Sequence, residues 1–145
     1  MSNDIIPVEE NTLATASESI LANTIELVTP ADKMRVLRAL NSAVSLHSIG
    51  STPIDVVDII QRPGIRRSRD PRLPASPCIN TYFITRDGRT YMSQSVGIAN
   101  AARDITDPMM FPDCGRSTEK GCITLQVVSQ TLDNGNTIKS IVPVD

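Results

Sequence analysis

Aromatic residues are nearly absent from this chain: 2 Tyr, 2 Phe and no Trp in 145 residues. Its core must therefore be built from Ile, Val, Leu and Met. No apolar run approaches the ~20 residues that a membrane-spanning helix needs. The opening 1-MSNDIIPVEE-10 lacks the basic and apolar regions of a secretory signal. Cysteines are few and odd in number, Cys78, Cys114 and Cys122, which points to a reduced, cytoplasmic protein (the host cytoplasm if the source is viral). Excess positive charge is also missing. The formal net charge is −2, so nucleic-acid binding would need local segregation of charge.

Catalytic and metal-binding patterns are equally thin. Seven residues separate Cys114 from Cys122, wider than the usual spacing of zinc ligands, and only Cys78 and His47 remain as distant partners. No metal or other cofactor is expected. The single histidine, His47, falls near the end of a predicted helix, where a cation complements the dipole. No serine or cysteine has a context that activates it. Asp55 and Asp58 lie three apart on a predicted strand and should face opposite sides as solvent charges. These features argue against an enzyme.

What is present is organised in two parts, 1–50 and 51–145. The first reads as a helical hairpin. The stretch 12-TLATASESILANTIELV-28 is apolar at helical spacing. Thr29, Pro30 and Asp32 form an N-terminal signature for a second helix over 31–48, with Gly50 as its stop. Met34, Leu37, Leu40 or Asn41, and Val44 would line its buried side. Packing on the second part or forming a homo-oligomer are the roles expected of this hairpin.

The second part reads as β. A strand is predicted at 54-IDVVDII-60, followed by the loop 61-QRPGIRRSRDPRLPASP-77, whose prolines exclude a helix or central strand. Asp87-Gly88 marks a two-residue hairpin, 96–105 a short helix, and Asn134-Gly135 a second hairpin. Five strands with a helix between the third and fourth is the order of an OB-like barrel. The expected class is mainly β with helices, α+β.

Three of the four aromatics fall in 78-CINTYFITRDGRTYMSQS-95. With a two-residue turn, Ile84 faces Tyr91 and Tyr82 faces Ser93. Tyr82, Tyr91, Arg86 and Arg89 then share an outward face, opposite Ile79, Phe83 and Met92. Rings beside cations suit single-stranded nucleic acid, because bases stack on rings and arginines neutralise phosphates. The assignment depends on that register, since a slip of one residue swaps the faces. The neighbouring loop carries Arg62, Arg66, Arg67, Arg69 and Arg72 against Asp70 alone. Arginine both stacks and forks onto phosphate, so the loop is a second candidate surface.

The run Asp87, Gly88, Tyr91, Ser95 and Gly97 fits DG-x-x-Y-x-x-x-S-x-G followed by a short helix. Over 53–144 the chain resembles small single-stranded DNA-binding proteins of phages of Gram-positive hosts and related mobile elements. That resemblance implies an OB-fold, no cofactor, no catalysis, and sequence-tolerant protection of single-stranded DNA during replication and recombination, with RNA left open as a partner. The alternative is a phage structural or assembly protein that uses the β-domain for protein contacts.

Overall fold

The computed structural model describes residues 22–25 and 27–144. Much of the predicted first helix, 12–28, lies outside them. Where they overlap the structure differs: Ala22–Asn23 (β1) is a strand, antiparallel to Ile60 and Gln61. The next residue anchors it, because the Thr24 hydroxyl accepts from Ile59 N–H at 3.0 Å. An open stretch of sheet edge has out-competed helix propensity here, by satisfying the backbone directly.

The helix Pro30–Ser42 (α1) starts as the sequence indicates. Asp32 N–H donates to the Thr29 hydroxyl at 3.2 Å and Thr29 N–H donates to the Asp32 carboxylate at 3.0 Å, with Pro30 in the first turn. Two corrections follow. The helix ends six residues early: Val44–Ser45 (β2) pairs parallel with Tyr91 and Met92, and a 3-10 turn fills Leu46–Ile49. Its buried face is Val36 and Ala39, whereas Met34 and Leu37 are exposed. A charge contact from Arg35 to the sheet sets this rotation, and the small Ala39 lets the helix approach closely.

Strand β3 (Ile54–Arg66) and strand β4 (Ser76–Thr85) run well into the predicted loop, which shrinks to 67–75. Pro63 and Gly64 are accommodated because β3 is central only as far as Gln61. Beyond it, among the described residues, β3 pairs with β4 alone, so Pro63 can turn its missing N–H toward an open edge. After β5 (Thr90–Ser93) come α2 (Val96–Ile105), β6 (Ile123–Thr131) and β7 (Thr137–Pro143). The sheet order is β2-β5-β4-β3-β6-β7, with β1 on β3, and the sheet curls as a half-barrel. The architecture is mainly β with two helices. No helix among the described residues is long and apolar enough to cross a membrane.

The β4–β5 hairpin has a three-residue connection, not two. Thr85 N–H donates to Arg89 C=O at 2.8 Å and Gly88 N–H to Thr85 C=O at 3.0 Å, with Gly88 at φ 87°. This is a turn closed by a left-handed residue, which a glycine adopts without strain. Ile84 therefore faces Thr90, Phe83 faces Tyr91, and Tyr82 faces Met92. Every pair is shifted by one from the two-residue expectation.

Each face of the sheet has its own core. The concave side packs Val56, Ile59, Phe83, Tyr91, Leu125 and Ile141 against Ile98 and Ala102 of α2. The other side packs Ile60, Tyr82 and Ile84 against Val36 and Ala39 of α1 and Ile25. In α2, Gly97 lies so close to Lys139 C=O of β7 that a Cβ would collide with the backbone. Gly97→Ala is expected to destabilise the fold by about 1–3 kcal/mol through overpacking, read as a lowered urea midpoint with an unchanged m-value.

Candidate nucleic-acid interface

Strand β3 carries an irregularity between Val56 and Asp58. Val56 and Ile59 both point into the concave core with two residues between them, so the extra residue is absorbed as a bulge. Asp55 and Asp58 consequently share the other face, contrary to simple alternation. Asp55 accepts from the Thr124 hydroxyl at 2.6 Å. Asp58 is fully buried and is no solvent charge. Its carboxylate accepts from the Thr24 hydroxyl at 2.7 Å, from Arg35 of α1 at 2.5 Å, and from Arg116. Arg116 also donates to Val57 C=O and Thr24 C=O, each at 2.8 Å.

Asp113 presents Arg116. Its carboxylate accepts from Gly115 and Ser117 N–H, each at 3.0 Å, and the Ser117 side chain first, then these backbone bonds, hold its pKa below the ordinary range. Thus β1, α1 and the loop before β6 are all fastened to one carboxylate. Nothing in the residue pattern announces the bulge, so the sequence reading missed this site.

The two tyrosines do not form a platform. Tyr82 is 8% exposed, under α1, and Tyr91 is 6% exposed, in the concave core. The shifted register places them on opposite faces, and α1 covers the side that would have carried the stack. Arg86 and Arg89 remain exposed at the hairpin tip. Arg86 is engaged, donating to Lys120 C=O and to Cys122 Sγ at 2.9 Å. Arg89 pairs with Asp87 at 3.6 Å, and the Tyr91 hydroxyl and that carboxylate raise its pKa.

The other five arginines gather on the β3–β4 arm. Along β3, Arg62, Gly64 and Arg66 alternate onto one face, opposite Asn80, Cys78 and Ser76 of β4. The Asn80 side chain lies over Gly64 and accepts from Gln94 at 3.0 Å. Arg66 reaches back to Gln94 C=O, and Arg72 pairs with Asp70 at 3.2 Å, which lowers the Asp70 pKa. The side chains of Arg62, Arg67 and Arg69 make no hydrogen bond or ion pair among the described residues. The hairpin tip follows one end of β4, and Arg62 and Arg66 lie opposite Asn80 and Ser76 further along it, so roughly 20 to 30 Å separates the two groups of arginines. The structure brings the arm residues together and leaves Arg86 and Arg89 apart from them.

His47 contacts Lys139 at 2.9 Å on the other flank, where burial and then that cation lower its pKa. No group of three or more potential metal ligands occurs among the described residues. No protein-family model matches the chain, and no curated protein or solved structure matches it.

Burial separates the three thiols. Cys114 and Cys122 are buried, and desolvation first of all pushes the Cys114 thiol up to about 12. A native-state titration with a disulfide reagent at neutral pH should label Cys78 alone, with the other two reacting only after unfolding. Asp58→Ala should cost about 3 kcal/mol in urea unfolding. That is the low end for a broken buried pair, because Arg35 and Arg116 are 54% and 35% exposed and can be rehydrated.

Proposed function

We propose that the chain is a non-enzymatic, sequence-tolerant single-stranded DNA-binding protein whose contact surface is the arginine arm. One observation carries this reading: Arg62, Arg67 and Arg69 are held on a β-hairpin arm with no carboxylate partner among the described residues. Unpaired arginines on an extended backbone track phosphates and stack on bases without reading sequence. Strand connectivity supports it. From β3 onward the order is three strands, a helix and two strands, and the path β5-β4-β3-β6-β7 agrees with the order expected of an OB-like barrel. In such barrels the loop between the first two strands, here 67–75, is a clamp for oligonucleotides. The resemblance to phage single-stranded DNA-binding proteins points the same way, with roles in replication and recombination.

The tyrosines drop out of this mechanism, so affinity rests on charge and on arginine stacking. A second reading, an assembly protein that oligomerises through its N-terminal part, draws support from Met34 and Leu37, which α1 exposes on its outer face.

The test is anisotropy of a labelled oligo-dT at several salt concentrations, with a matched duplex as control. Binding should weaken with salt and favour the single strand. Arg67→Ala and Arg69→Ala should each lower the slope of log K against log salt by about 0.7. Tyr82→Phe and Tyr91→Phe should leave affinity unchanged. Absence of binding at low salt and micromolar protein overturns the proposal and favours the assembly reading.

A further inference from the structure

Cations also converge on a place the arm does not reach, the crevice between α1 and the tip of the β4–β5 hairpin. Its volume is about 330 Å3. From α1 come Arg35, Arg38 and Ser42, at i, i+3 and i+7 and hence on one helical face. From the hairpin come Arg86 and Thr90. No carboxylate is among the described residues that line it.

The three guanidiniums differ in how they are held. Arg35 uses one terminal nitrogen on Asp58, whose charge is shared with Arg116. Arg86 uses one terminal nitrogen on Lys120 C=O and Cys122 Sγ, and its backbone N–H donates to Asp55 C=O at 2.9 Å. The Arg38 guanidinium is exposed and makes no hydrogen bond or ion pair among the described residues. A guanidinium has five N–H donors, so Arg35 and Arg86 each keep donors to spare while being fixed in position. Three like charges face one crevice whose described lining holds no carboxylate; Asp58, buried and shared with Arg116, and Asp32 at the start of α1 offset Arg35 in part, and the remaining positive potential favours an anion. Fixed guanidinium forks match tetrahedral oxyanions, and the Thr90 and Ser42 hydroxyls add neutral donors.

We propose that this crevice binds a phosphate group. Helix α1 is then more than a cover on the sheet: it contributes two of the three cations. The site is independent of the arm, and its existence does not require that the arm bind DNA. The phosphate could belong to a small phosphorylated molecule or to a nucleic-acid backbone, and the same experiment separates the two.

The full chain, with arginine side chains labelled for NMR, is titrated with inorganic phosphate and with pyrophosphate at constant ionic strength set by chloride. The Arg38 Nε–H resonance should shift and saturate. Arg38→Ala should weaken the binding reported by Arg35 and Arg86 about tenfold, the loss of one charge-assisted contact. Arg103→Ala, an exposed cation on α2, should change nothing. A shift that never saturates, or one unaltered by Arg38→Ala in a folded variant, overturns the proposal. Oligo-dT that displaces phosphate from Arg38 assigns the site to a nucleic-acid backbone. Oligo-dT that leaves the phosphate-bound resonance in place assigns it to a small phosphate. If oligo-dT fails to bind anywhere, the arm reading falls while the phosphate titration still decides this one.

Discussion

The fold depends on one buried carboxylate. Asp58 has no contact with solvent, yet it holds Arg35 of α1, Arg116 of the loop before β6, and Thr24 beside β1. Burying a charge is tolerable only when it is paired and hydrogen-bonded, and here three elements distant in sequence must converge to satisfy it. The arrangement selects a geometry more than it adds stability. Arg35 can reach Asp58 only if α1 turns Val36 and Ala39 down onto Ile60, Tyr82 and Ile84. The helix is thereby placed across the face of β4 and β5 that a stacking platform would need.

Charge then decides what is left for function. With both rings buried, the exposed chemistry is arginine, and apart from Arg103 on α2 and Arg116 on Asp58 the arginines fall into two groups, one on the arm and one at the other end of β4. The arm presents side chains with few bonds to the body of the protein. The crevice beside α1 presents two guanidiniums already fixed by Asp58, Lys120 C=O and Cys122, with Arg38 beside them. A mobile donor loses more entropy on binding than a fixed one, so the arm suits an extended, variable polyanion and the crevice a single compact anion.

Much of the scaffold was legible. The capping box at Thr29 and Asp32, the helix at 96–105 and the hairpin around Asn134-Gly135 are local signals read by local physics. Failures came where tertiary partners decided. Pro63 and Gly64 signal a loop, but a strand that is central at one end and an edge at the other can carry them. Asp87-Gly88 signals a two-residue turn, yet Gly88 closes a three-residue one, and that single step moved Tyr82 and Tyr91 to opposite faces. The bulge at Val57 and Asp58 has no residue signature at all. The arginine-rich character of 61–72 was readable from composition, whereas the crevice beside α1 needed the rotation of α1 that Asp58 imposes.

Helix α1 lies on the outer face of β4 and β5, and the tyrosines are divided between the two cores. Nuclear Overhauser contacts from the two tyrosine rings test this arrangement most directly. With α1 in that place, the Tyr82 ring should contact the methyl groups of Val36 and Ala39, and the Tyr91 ring should contact Phe83 and not Tyr82. Mutual contacts between the two rings, with none from Tyr82 to α1, would contradict it and restore the aromatic platform.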